Sequence, residues 1–129
     1  MSTQGIPDDI RRYLLQCVPS VPYIEAVLLM RENRLIGWQP AQLAGRLYLN
    51  IDDAGHLLTK LQADGIVALS KDGTDGFQYA PDSTELASLW DRLAMVYAHH
   101  LIEVSTLVHT KSTSKARMLA DAFVWKKEK

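Results

Sequence analysis

The chain has 129 residues, 47% hydrophobic and 22% charged, with a formal net charge of −1. That length suits one domain with a core of useful size, and the near-zero charge excludes a protein that coats nucleic acid by charge alone. A single cysteine, Cys17, excludes an intrachain disulfide and the usual zinc-finger ligand sets. The start MSTQGIPDDIRR carries no apolar core behind a basic stretch, so no secretion signal is expected. No uninterrupted apolar run approaches the ~18 residues of a membrane span. The expected setting is the cytoplasm.

The elements follow in order. Pro7 to Cys17 read as a first helix: Pro7 and the acids Asp8 and Asp9 suit its start, and Ile10, Tyr13, Leu14 and Cys17 fall on one face. Cys17, on that apolar side, is expected to be a small buried hydrophobe rather than a redox sensor. Ser20 can cap a second helix with Pro22 in its first turn, and Ile24, Val27, Leu28 and Leu35 mark its buried side. Pro40 opens a third helix carrying Leu43, Ala44 and Leu47 and ending near Tyr48. Asn50 caps a fourth, with Asp53 three residues on in the manner of a capping box. Ile51, Ala54, Leu57, Leu58 and Leu61 follow at helical spacing, and Gly65 stops the helix. IVALS and FQYAP flank KDGTDG, which predicts a β-hairpin over 66–80.

Asp82 and Glu85 form another capping-box pair before a long helix. In it Leu86, Trp90, Leu93, Tyr97, His100, Val104 and Leu107 recur at spacings of four and three, a heptad-like stripe. TKSTS breaks that helix. Ala116, Leu119, Ala120, Phe123 and Val124 give a last amphipathic helix ending in KKEK. The fold class is mainly α with a small β-hairpin. Residues 1–81 are expected to be one module and 82–129 a long dimerisation helix with a basic C-terminal helix, in one compact unit.

The stretch WQPAQLAGRLYLNIDDAGHLLTKLQADGIVALS resembles MarR-like winged helix-turn-helix transcriptional regulators. That family shows an aromatic residue and a proline before xxLAxxL, then a reading helix ending in LxxLxxxGxV. Here these are Trp38, Pro40, Leu43, Ala44, Leu47, Leu58, Leu61, Gly65 and Val67, about a third of the chain. The resemblance implies a winged helix that docks double-stranded DNA, with the fourth helix in the major groove. By carry-over the candidate contacts are Asn50, Asp52, His56, Thr59 and Lys60, with Gln42 and Arg46 meeting phosphate and Lys71 and Thr74 reaching from the wing. It also implies a homodimer, for which the stripe from Leu86 to Leu107 offers a seam. The stripe can equally pack on its own domain.

Charge argues the other way. From Ser20 to Pro81 there are five basic residues (Arg31, Arg34, Arg46, Lys60, Lys71) against seven acids (Glu25, Glu32, Asp52, Asp53, Asp64, Asp72, Asp75), a net −2. Positive charge gathers from Lys111 to Lys129, net +4, as a phosphate clamp or a solvated helix end. A second reading therefore stays open: a protein-interaction module whose acidic face meets a basic partner. A third is a regulator that senses a small ligand in a cleft. No catalytic motif is present and no cofactor is implied, so no enzyme is expected. His99, His100 and His109 lack metal-ligand spacing, and His100, in the apolar stripe, reads as an interface histidine rather than a ligand.

Overall fold

A computed structural model describes residues 5–70 and 76–111. In chain order the elements are α1 (Asp8–Cys17), α2 (Val21–Glu32), α3 (Pro40–Leu47), α4 (Ile51–Ala63), β1 (Val67–Leu69), β2 (Phe77–Tyr79), α5 (Thr84–His99) and α6, of which residues 101–111 are described. The fold is thus mainly helical with a small two-stranded antiparallel sheet. The chain divides into two compact units, Pro22–Ala94 on one side and Met1–Val21 with Met95–Lys129 on the other.

In the unit Pro22–Ala94, α2 is the core helix. Tyr23, Ile24, Ala26, Val27 and Met30 are all buried, more than one face of a helix, so it needs neighbours on several sides. Tyr23 supplies two of those links. Its ring centroid lies 6.4 Å from that of fully buried Trp90 on α5, and its hydroxyl donates to Asp64 Oδ2 at 2.5 Å, at the C-terminus of α4. Leu35, expected on the buried side of this helix, is 93% exposed. The helix ends at Glu32, where Asn33 Nδ2 donates to the Leu29 carbonyl, so Leu35 falls outside the 3.6-residue period.

The hairpin pairs β1 with β2 in the register Val67↔Tyr79, Ala68↔Gln78, Leu69↔Phe77. On the other side of β2, Trp38 and Phe77 exchange both backbone hydrogen bonds, at 2.8 and 2.9 Å, so the residue two before α3 is paired to the hairpin. Two glycines make these approaches possible. A Cβ on Gly76 would sit 2.3 Å from the Trp38 carbonyl oxygen, and one on Gly65 would sit 2.2 Å from Asp82 Oδ2. Both have positive φ, +91° and +79°. Asp82 is thereby occupied at the Gly65 turn, where its N–H also donates to the Gly65 carbonyl. The capping box expected from Asp82 and Glu85 does not form. Ser83 caps α5 instead, its Oγ accepting from the Leu86 N–H at 3.0 Å.

In the second unit, Ile10, Leu14 and Val18 are buried at four-residue spacing, and Val104 and Val108 on α6 are buried likewise. Cys17 lies one position off that row and is exposed, contrary to expectation. Pro7 stands just before α1, as its N-cap residue. The long helix is interrupted at His100. There the His99 ring meets the Met95 carbonyl through Nδ1 at 2.9 Å, while the His100 N–H still donates to the Val96 carbonyl at 2.7 Å. Within the stripe, Trp90, Leu93, Tyr97 and Val104 are already buried inside a single chain, while Leu86, His100 and Leu107 are partly exposed.

Lys111 closes the second unit. Its ammonium donates to the carbonyls of Leu14, Leu15 and Val18 at 3.1, 3.0 and 2.6 Å, at the end of α1 where helical acceptors run short of donors, the Leu14 carbonyl also taking the Val18 N–H. Lys111→Met removes the charge and all three bonds while keeping most of the apolar stem. It is expected to lower stability by about 1–3 kcal/mol, read as a fall in the urea midpoint by circular dichroism. An unchanged midpoint would show that water replaces the ammonium at no loss.

Candidate nucleic-acid interface

The pair α3–α4 is held rigid by its own termini. Gln39 and Gln42 form a reciprocal capping box on α3, the Gln39 N–H donating to Gln42 Oε1 at 2.9 Å. Sequence reading placed Gln42 as a phosphate contact and missed this role, because glutamine is a rare N-cap residue. Asn50 caps α4 as expected, its Oδ1 accepting from the Asp53 N–H at 2.7 Å. Asp53 acts through its backbone and first-turn charge rather than as half of a box.

Along α4, Ala54, Leu58 and Leu61 are buried, while Asp52, His56, Thr59 and Lys60 are exposed. The structure therefore brings the predicted contacts Asn50, Asp52, His56, Thr59 and Lys60 onto the solvent side of one helix. Lys71 and Thr74 lie outside the described residues.

The charges on this unit are largely committed within it. Lys60 pairs with Asp64 at 3.1 Å, one turn on. Arg31 pairs with Asp91 at 2.9 Å, Arg34 approaches the same carboxylate at 4.0 Å, and the Arg34 guanidinium lies 5.3 Å from the centroid of Tyr79. Arg46 stacks over Trp38 at 5.8 Å and has no carboxylate partner among the described residues. Thr59 Oγ1 donates back to the Gly55 carbonyl at 3.0 Å. The ionisable groups that remain outward on α4 are a pair of acids at its start, a histidine and a lysine already paired.

Two exposed apolar residues escaped the sequence reading. Tyr48 is 94% exposed and Ile51 is exposed beside it, flanking the turn between the helices. Tyr48 adopts φ +59°, ψ +41°, the left-handed conformation that glycine or asparagine normally supplies at a helix end. The Leu49 N–H then reaches the Ala44 carbonyl at 3.0 Å and closes the turn. The signal was a missing glycine: α3 stops at Leu47 with no residue after it that tolerates positive φ well. Among the described residues no three His, Cys, Asp or Glu side chains converge to hold a metal ion. No single helix among them is long and apolar enough to cross a membrane.

Compared with known proteins, the chain matches no protein-family model, no curated protein and no solved structure.

Replacing Tyr48 with glycine relieves the left-handed strain and removes little packing. Tyr48→Gly is expected to raise stability by about 1 kcal/mol, measured by chemical denaturation; a loss would mean that the exposed ring packs on something. A second test uses Tyr79. Its hydroxyl titrates above the ordinary tyrosine value, because burial disfavours the phenolate and the Asp91 carboxylate repels it, while Arg31 and Arg34 oppose the shift. The folded pKa exceeds the unfolded one, so the neutral phenol's contribution is complete below the unfolded value of about 10 and is lost as pH rises through the folded value. Wild type should therefore lose stability more steeply than Tyr79→Phe at alkaline pH above that value. Parallel curves would exclude Tyr79 as the titrating group.

Proposed function

We propose that residues 22–94 form a winged helix-turn-helix module of a DNA-binding transcriptional regulator, with α4 as the reading helix and the β1–β2 hairpin as the wing. The observation that carries the reading is the Trp38–Phe77 bridge. It ties the segment before α3 to the hairpin after α4, so that helix, short strand, helix, helix and hairpin follow in the order of a winged helix. Asn50, His56, Thr59 and Lys60 face outward together and serve base edges and sugar. Asn50 keeps its Nδ2 donors, since its cap uses Oδ1. Arg46 meets phosphate beside the cap formed by Gln42, and Lys71 and Thr74 act from the wing. Two copies reading two half-sites would supply the affinity that one copy lacks.

Because Lys60, Arg31 and Arg34 are engaged by carboxylates, few counterions are released on docking. The salt dependence should be shallow, with a log–log slope of roughly −2 per copy if Arg46 and Lys71 each neutralise one phosphate. One specific observation favours a second reading, a docking module for a basic protein segment: exposed Tyr48 and Ile51 stand beside exposed Asp52 and Asp53.

The experiment is a salt series of binding to random and gene-flanking duplexes by wild type, Arg46→Ala and Tyr48→Gly. The DNA reading expects binding that weakens with salt, with the slope reduced by about 1 in Arg46→Ala. A folded protein that leaves duplex DNA unbound at low salt sinks that reading in favour of protein docking at Tyr48 and Ile51.

A further inference from the structure

At the end of α2 two arginines share one acid. Arg31 places both Nε and Nη2 on Asp91 Oδ1, at 3.0 and 2.9 Å, and Arg34 Nη2 stands 4.0 Å from the same oxygen. Arg34 Nε donates to the Arg31 carbonyl at 3.2 Å, which draws the second guanidinium in beside the first. Two guanidiniums against one carboxylate leave the cluster with an excess of positive charge. Both contacts from Arg31 fall on a single oxygen, so neither arginine makes the two-oxygen pairing that its planar fork favours.

Tyr79 lies beneath this pair. The Arg34 guanidinium sits over its ring at 5.3 Å from the centroid. The tyrosine is 7% exposed, and its buried hydroxyl finds no acceptor among the described residues. Such a group costs free energy wherever it is left. The arginines beside it carry donors alone and cannot accept its proton. Asp91 is near enough to repel a phenolate, yet it is bonded to Arg31 and not to the hydroxyl. The cluster is therefore rich in donors and short of acceptors, which is the chemistry of an oxyanion site.

We propose that Arg31, Arg34 and Tyr79 bind a phosphate group, free or as the monoester of a small molecule, and that Asp91 competes with it from within the protein. The donors come from the last turn of α2, the turn after it and the end of β2. A carboxylate offers two oxygens to these three groups. A phosphate offers at least three, one for each guanidinium and one for the hydroxyl, and carries more charge. Arg34, with its side chain 58% exposed, swings off the ring on its flexible stem to admit the ligand. All four residues lie in the unit Pro22–Ala94, and none belongs to the polar face of α4. The proposal therefore does not rest on the DNA reading and is tested without DNA.

The measurement is an NMR titration of the full chain at neutral pH, following the Nε–H resonances of Arg31 and Arg34. The titrants are inorganic phosphate, methyl phosphate and acetate at matched ionic strength, with circular dichroism confirming that each variant is folded. Both phosphates are expected to give saturable shifts at both arginines and acetate is not; the tighter of the two phosphates names the form the site takes. Arg34→Gln, read at Arg31, and Tyr79→Phe are each expected to raise Kd roughly tenfold, the worth of one hydrogen bond to a charged group. Asp91→Asn removes the competing charge and is expected to lower Kd by roughly tenfold. A merely structural ion pair predicts no such gain. Arg34 is more than half exposed, so its variant reads the site independently of any loosening caused at Asp91. The absence of saturation, equal shifts with acetate, an unchanged Kd in Arg34→Gln, or weaker binding by folded Asp91→Asn each overturns the proposal.

Discussion

The backbone pairing between Trp38 and Phe77 is the constraint on which the unit Pro22–Ala94 depends. Two hydrogen bonds join a single residue ahead of α3 to a strand that follows α4, so the α3–α4 pair is enclosed between its own flanking segments. The approach is close enough that residue 76 must be glycine. Buried Trp38 then gives Arg46 a ring to stack on, and the Gly65 turn, filled by Asp82, sets where α5 begins. A change at either glycine would therefore be felt at the termini of α3, α4 and α5 together. Such coupling links the start of α3 to the β1–β2 hairpin that follows α4.

A second constraint is electrostatic. A carboxylate that pairs with a lysine one turn away contributes a few tenths of a kcal/mol at most, and exposed pairs such as Arg31–Asp91 contribute little more. These pairs matter less for stability than for what they withhold. Lys60 held by Asp64, and Asp64 held in turn by Tyr23, leaves a helix face whose fixed charge comes mainly from Asp52 and Asp53. Asp64 is the branch point, serving the core tyrosine and the surface lysine at once. Removing that carboxylate would free the lysine and take away a hydrogen-bond acceptor of the tyrosine hydroxyl in one step, so the stability and the charge of this face are linked through a single residue.

Much of this architecture was legible in the sequence because it rests on local chemistry. Asn50 as a cap, Pro40 as a helix opener, Gly65 as a stop and the KDGTDG hairpin each follow from a few adjacent residues, and each element stands where that chemistry puts it. What escaped depended on contacts between distant positions. Nothing near Cys17 says that Lys111 will cover the end of α1, ninety-seven residues from Leu14. Nothing near Asp82 says that it will fill the space beside Gly65 and leave capping to Ser83. The heptad stripe was a true apolar period, but a period says that a face is buried and not against what. Of the candidate site, the shared solvent face of α4 could be read from spacing alone. The neutralisation of its lysine and the cap that occupies Gln42 could not.

Tyr48 bears most directly on how the surface is used. A non-glycine residue in the left-handed region costs of order 1 kcal/mol, and an aromatic ring left 94% exposed recovers almost none of it through burial. Glycine would close α3 with the same Leu49–Ala44 bond and without the strain. The turn itself therefore gives no reason for the ring. A ring held outward at the entrance to α4, on a turn stiffened by caps on both sides, is in place to meet a partner with little further loss of conformational freedom. On a DNA surface it would lie against sugar and backbone beside Arg46; on a protein it would be the central apolar anchor, with Ile51 next to it. In either case the strained turn sets an exposed ring at the α3–α4 corner, next to the acids Asp52 and Asp53 that open α4.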